Sequence, residues 1–188
     1  MESARTLKES DWINAALVTL NRSGAHAIKA ETLARELSVS KGSFYWHFKD
    51  VLALKQALLQ SWSTANIRAL DQLISEESEG PERRLLAFVD RRCSRIDPPE
   101  LAAQTEAAMR EWARYEPSVA TVLNSIDTQR LAFLADLFNQ MGQTRSQSKL
   151  SAQTLYASAL GMIELNQRVI LDDRKCLRWV VQKLCFTS

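Results

Sequence analysis

Apolar residues along this chain recur at spacings of three and four, and nowhere alternate with the period of two that a half-buried strand needs. That pattern restricts the fold to helices packed on helices. Ile13, Ala16, Leu17 and Leu20 form a first stripe, which Gly24 is suited to stop. Leu33, Ala34 and Leu37 form a short second stripe, and Phe44 and Phe48 lie four apart on a third. Asp50 can cap a fourth helix, running through Leu54, Leu58 and Trp62 toward Leu70 and Ile74. After a polar break over 75–80, Pro81 suits the first turn of a helix carrying Leu85, Phe88, Val89, Cys93 and Ile96, which Pro98 and Pro99 break. The next helix places Leu101, Thr105, Ala108, Met109 and Trp112 on one side. Pro117 opens a long helix through Val122, Ile126, Phe133, Leu137 and Met141, ending near Gly142. Residues 143–149 are polar and read as a loop. Two helices close the chain, one over roughly 151–171 and one after Asp172-Asp173 through Leu177, Val180, Val181 and Leu184. The expected fold is all-α: an N-terminal three-helix helix-turn-helix domain over 1–50 on a C-terminal six-helix body over 51–188.

Composition agrees and removes several function classes. Five glycines and four prolines in 188 residues favour helix. The net charge of +2 gives no general affinity for nucleic acid, and the first fifty residues hold seven bases against six acids. The charge signal is local: Lys41 to Lys49 contains two lysines, His47 and no acid. Three scattered cysteines exclude a disulfide framework. No apolar run approaches ~18 residues and no leader-like stretch precedes the first helix, so a cytoplasmic protein without a membrane partner is expected. The only histidines, His26 and His47, belong to no metal-binding spacing. The serines lack a histidine partner, and no phosphate-binding glycine loop occurs. The expectation is no enzyme, no metal and no cofactor.

The most specific segment is Ala30 to Lys49, AETLARELSVSKGSFYWHFK. A short amphipathic helix, a turn-sized gap at Ser38-Val39-Ser40 and a second helix from Lys41, which Ser40 can cap, make a helix-turn-helix unit. Its second helix is the kind that enters the major groove. There Phe44 and Phe48 face the core, with Lys41, Gly42 and Tyr45 on the other side. Lys41 can donate to a guanine edge. Gly42 lets backbone approach DNA closely. Ser43, Tyr45, His47 and Lys49 can donate to phosphate oxygens. Trp46 either packs or touches DNA. Glu31 is either a solvated helix residue or an acceptor for a cytosine edge.

With Trp12-Ile13, Ala15-Ala16, Leu20, Gly24, Leu33-Ala34 and the run Val39 to Lys49, residues 12–54 resemble the DNA-binding domain of the TetR family of bacterial regulators. The resemblance implies base contacts from Lys41, Gly42 and Tyr45, and phosphate contacts from Ser43, Tyr45, His47 and Lys49. It also marks departures. Lys29 stands where a capping Thr or Ser is usual; it cannot cap but can reach a phosphate. Leu37-Ser38 replaces Ala-Gly in the turn, so Ser38 is either strained or in a turn of different shape. Val51 stands where a phosphate-binding Lys is common.

For the body, the resemblance implies an effector pocket. Its candidate residues are Trp62, Phe88, Met109, Trp112 and Phe133, with Phe138 nearby, and the polar groups Arg110, Glu111 and Gln129; ordinary core is the alternative for each apolar one. The last two helices carry small residues at 157–159 and Gly161. They are expected either to pair across a two-fold axis through Leu155, Ala159, Met162, Ile163, Leu177, Val180, Val181 and Leu184, or to pack within one chain. The resulting expectation is a homodimeric repressor on double-stranded DNA with a palindromic operator, released by a small hydrophobic effector. The alternative is a helical protein-interaction adaptor without specific DNA binding.

Overall fold

The structure is a computed structural model, and it describes residues 7–75, 80–93, 102–165, 169 and 171–185. Among these residues the regular structure is helical: α1 Glu9–Ser23, α2 Ala30–Glu36, α3 Lys41–Tyr45, α4 Val51–Ser75, α5 Pro81–Arg92, α6 Ala103–Ala113, α7 Pro117–Gln140, α8 Arg145–Leu165 and α9 Asp173–Cys185, with a 3₁₀ turn at Ala25–Ala27. The places expected of Ile96, Pro98, Pro99 and Leu101 lie outside the described residues.

Local chemistry sets most boundaries. Gly24 ends α1 at φ 79°, and its N–H donates to the Leu20 carbonyl at 2.9 Å. Asp50 caps α4: its carboxylate accepts from the Ala53 N–H at 2.7 Å. Pro81 and Pro117 occupy first turns, where a missing N–H costs nothing. Asp172 accepts from the Lys175 N–H at 3.1 Å at the start of α9.

One boundary differs from expectation. The polar stretch read as a loop over 143–149 is already helix from Arg145. Thr144 and Gln147 form a capping box there. The Gln147 N–H donates to Thr144 Oγ1 at 3.3 Å, and the Thr144 N–H donates to Gln147 Oε1 at 3.1 Å. This reciprocal pair satisfies two orphan donors, so a polar sequence holds a helical turn.

Two apolar cores result. One joins α1–α3 (Trp12, Leu17, Leu20, Leu33, Phe44) to Leu54, Leu58 and Trp62 of α4, and continues to Met109 of α6 and to Val119, Leu123 and Ile126 of α7. The other fills the far end of the body, from Leu70 and Phe88 to Phe138, Leu155, Leu177 and Val181. Between them lies a buried polar layer. Glu106 accepts from Arg130 at 3.1 Å, from Arg110 at 2.7 Å and from Arg92 at 3.2 Å. Arg110 grips Asp127 with two bonds of 2.7 and 3.0 Å, and Tyr156 donates to Asp127 at 2.7 Å. Arg130 also donates to Asn66, whose amide donates to the Trp62 carbonyl at 2.8 Å. Burial works against the Glu106 charge, but Arg92, Arg130 and Arg110 outweigh it and hold the carboxyl well below the usual carboxylate range.

Candidate nucleic-acid interface

The head is built around Trp12 and Phe44, both fully buried and meeting edge to face at 5.4 Å between ring centres. Phe48 stacks on Phe44 at 5.9 Å. These anchors fix which face of α3 turns outward. Lys41, Gly42, Tyr45, Trp46 and Lys49 are exposed, and Ser43 and His47 are half-buried. His47 rests near the Trp12 ring at 6.2 Å. Trp46 is 89% exposed, so the packing alternative for it is set aside.

The turn has a defined shape. Ser38 adopts φ 56°, the left-handed conformation. The Ser38 N–H donates to the Arg35 carbonyl at 3.2 Å, and the Val39 N–H to the Ala34 carbonyl at 2.9 Å. These two bonds make a Schellman cap on α2 with serine in the position glycine usually takes. Lys29 precedes α2 with no side-chain capping bond among the described residues, as lysine chemistry requires. Ser40 occupies the N-cap of α3, yet its hydroxyl makes no such bond there either; the Ser43 N–H is satisfied instead by the Ser40 carbonyl at 3.0 Å. A Cβ placed on Gly42 has Ser40 Oγ at 3.6 Å as its nearest neighbour, an ordinary contact, so the fold itself does not demand glycine.

Glu31 and Lys41 form a close ion pair on the exposed face, linking the two helices of the unit. The hydrogen bond to Lys41 lowers the Glu31 pKa and raises that of Lys41. Lys29 and Lys49 lie exposed to either side. Val51, the first residue of α4, is half-buried against the core of the head.

In the body, the structure scatters the proposed effector residues. Trp62 and Met109 are fully buried in the first core; Phe88 and Phe133 belong to the second. Trp112 is half-buried, with the Lys55 ammonium 5.9 Å from its ring centre. Arg110 joins the buried polar layer, whereas Glu111 and Gln129 are exposed, the latter donating to Ser125 at 3.2 Å. Sequence reasoning missed Glu106, Arg130, Asp127, Asn66 and Tyr156. An open cavity of about 890 Å³ lies between the end of α1, α6 and α8, lined in part by Asn21, Arg110, Glu111 and Tyr115. A small cavity of about 50 Å³ lies between α4 and α5, lined by Leu70, Leu73, Phe88 and Arg92 among others. Of the expected pairing residues, Leu155, Ala159, Leu177 and Val181 are buried within the single chain; Met162, Ile163, Val180 and Leu184 are half-buried. Among the described residues, no group of three or more His, Cys, Asp or Glu could hold a metal, and no helix is long and apolar enough to cross a membrane.

This geometry defines the class: a helix-turn-helix head seated on a helical body. Residues 13–60 match the bacterial regulatory proteins of the tetR family. AcuR, a transcriptional regulator of Cereibacter sphaeroides, is 30% identical over 83 residues, a stretch covering 44% of this chain and only 38% of AcuR. FadR of Bacillus halodurans, a fatty acid degradation regulator, shares the fold with a TM-score of 0.69 at 16% identity, over 100% of this chain and 98% of that one. FadR of Bacillus subtilis, solved in complex with stearoyl-CoA, superposes with a TM-score of 0.67 at 15% identity, over 96% and 100% of the two chains. The head, residues 13–60, is thus similar to the bacterial regulatory proteins of the tetR family, and the whole chain shares the fold of the two FadR structures.

Proposed function

We propose that this protein is a cytoplasmic, non-enzymatic transcriptional repressor that binds a palindromic operator as a homodimer and releases it when a small molecule occupies the body. The observation that carries this reading is the split of α3. Phe44 and Phe48 are locked in the core while Lys41, Gly42, Tyr45 and Trp46 face outward from a helix whose N-terminus is exposed. Ser43, His47, Lys29 and Lys49 flank that edge and suit phosphate contacts. The family match over residues 13–60 and the fold relatives support the reading, and one of those relatives was solved in complex with stearoyl-CoA.

The body supports transmission. Asn21 at the end of α1 donates to Thr105 of α6 at 2.8 Å, and the next residue of α6 is Glu106 of the buried layer. A ligand that shifts α6 therefore moves α1 and the spacing of two heads. Pairing fits the outer stripe of α8, where Leu150, Ala157, Gly161 and Leu165 are exposed, and exposed Trp179 of α9 adds apolar surface.

The test is selection of bound duplexes from a random pool, followed by titration of the preferred site and of random DNA. Lys41→Ala should weaken the preferred site more than random DNA, and Lys49→Ala should weaken both about equally. A pool that yields no preferred sequence would sink the reading in favour of a protein-interaction adaptor.

A further inference from the structure

Among the described residues the buried polar layer is not balanced. Three guanidiniums, Arg92, Arg110 and Arg130, face two carboxylates, Glu106 and Asp127. Tyr156 adds no charge, since burial raises its pKa. The neighbouring Arg84 donates to the carbonyls of Leu73 and Ile74 at 3.0 and 3.2 Å in the last turn of α4. Asp90 of α5 pairs outward with Arg174 and Arg178. Among the described residues the layer therefore holds one guanidinium more than it has carboxylates.

That surplus is located by hydrogen bonding. The Arg92 side chain is only 9% exposed. Its Nη1 donates to Glu106, but Nε and Nη2 are buried without a hydrogen-bond partner among the described residues. Burying such donors unpaired is expensive. Nε and Nη2 form one edge of the guanidinium, and their parallel N–H groups match the two oxygens of a carboxylate. Arg92 lines the cavity of about 50 Å³ whose other walls include Leu70, Leu73, Phe88 and Ala69. A cationic fork beside a small apolar recess describes a ligand with an acid head and a short hydrocarbon tail.

We propose that the body binds a short-chain monocarboxylate, its two oxygens on Nε and Nη2 of Arg92 and its tail among Leu70, Leu73 and Phe88. Its identity as the effector rests on the regulator reading above; its binding does not. The bound carboxylate balances the layer at the point where Arg92 touches Glu106. That contact leads along α6 to Thr105 and Asn21, so occupancy has a route to the head.

The experiment is calorimetric titration of the full chain with acetate, propionate, butyrate and butyramide, on wild type, Arg92→Gln and Ala69→Leu. Affinity should rise about fourfold per added methylene while the tail fits. Butyramide should not bind measurably. Arg92→Gln should weaken butyrate at least tenfold, and Ala69→Leu should weaken butyrate more than acetate by filling the recess. Removing Arg92 leaves two arginines facing two carboxylates, so that variant should melt no lower than wild type. Equal affinity for butyrate and butyramide, no effect of Arg92→Gln in a chain that melts normally, or no dependence on tail length would overturn the proposal. Repeating the butyrate titration against operator DNA separates the two readings. Binding with unchanged DNA affinity keeps the site and defeats its role as the effector site, whereas failure to bind any DNA defeats the regulator reading and leaves the calorimetric result standing.

Discussion

Ser38 holds a φ of 56° in a turn where glycine enters freely and a residue with Cβ does not. Ser38→Gly should relieve that strain, less the entropy glycine adds to the unfolded chain, for a net gain of about 0.5–1 kcal/mol. The denaturant midpoint should rise at constant m, with DNA binding retained. Gly42 is the opposite case. Nothing within the fold needs a glycine there, so Gly42→Ala should leave stability equal or slightly raised, since alanine is the better helix former. Operator affinity should nevertheless fall, because the added methyl would stand where the proposed docking brings backbone against DNA. A variant that binds as wild type would show that α3 docks at a distance from its own start. Glu31 makes a third test. In the free head it holds Lys41 in an ion pair on the exposed face, and under the proposed docking DNA must exchange that partner for its own. Glu31→Gln should release the lysine and strengthen binding to random DNA more than to the operator, with a steeper dependence on salt. These residues were legible in the sequence because their chemistry is local. The pairing of Glu31 with Lys41 was not, since each stands on its own helix and neither spacing nor composition joins them.

At the level of elements, the boundaries that could be read were those carrying Gly, Pro or Asp at a terminus: Gly24, Asp50, Pro81 and Pro117. The start of α8 was missed although Thr144 and Gln147 have the spacing of a capping box, because the surrounding residues lack any apolar stripe. The buried layer was missed for a different reason. Arg130 stands in register with Ile126, Phe133, Leu134 and Leu137 on the inner face of α7, a charge within an apolar stripe that could have been noticed. Its partners, however, come from 24 and 64 residues away. The layer fixes α6 against α7, and Glu106→Gln should cost about 3–5 kcal/mol by stranding buried arginines. The sign with pH follows from its lowered folded pKa. The stabilisation is complete above the ordinary carboxylate value of 4.5 and is lost as pH falls through the folded value. The gap between wild type and Glu106→Gln should therefore stay constant through neutral pH and close only in acid. A gap that closed near pH 7 would mean Glu106 is not ionised.

For the whole molecule, the outer stripe of α8 offers a clean test of assembly. Ala157 is exposed in the single chain, so Ala157→Arg leaves its core untouched while placing a charge on the proposed two-fold contact. The variant should sediment as a monomer, keep its helical signal and lose operator affinity through lost bivalency. Residues expected at that contact from sequence, such as Leu155 and Leu177, turned inward instead. Helical spacing identifies an apolar stripe but not which of two partners, its own chain or a second copy, covers it.

The core that runs without a break from Trp12 through Trp62 to Met109 and Ile126 bears on how such proteins can be recombined. A reading head is attractive to transplant, because the proposed operator choice rests on a few side chains of α3. Splicing at Asp50 would nevertheless divide a packed surface, leaving the donor's Leu17 and Leu20 to meet a foreign α6 and α7. Chimeras that carry only the first fifty residues should be poorly folded or locked in one arrangement of heads. Those that also carry the inward residues Met109, Val119 and Leu123 should regain a single cooperative melting transition.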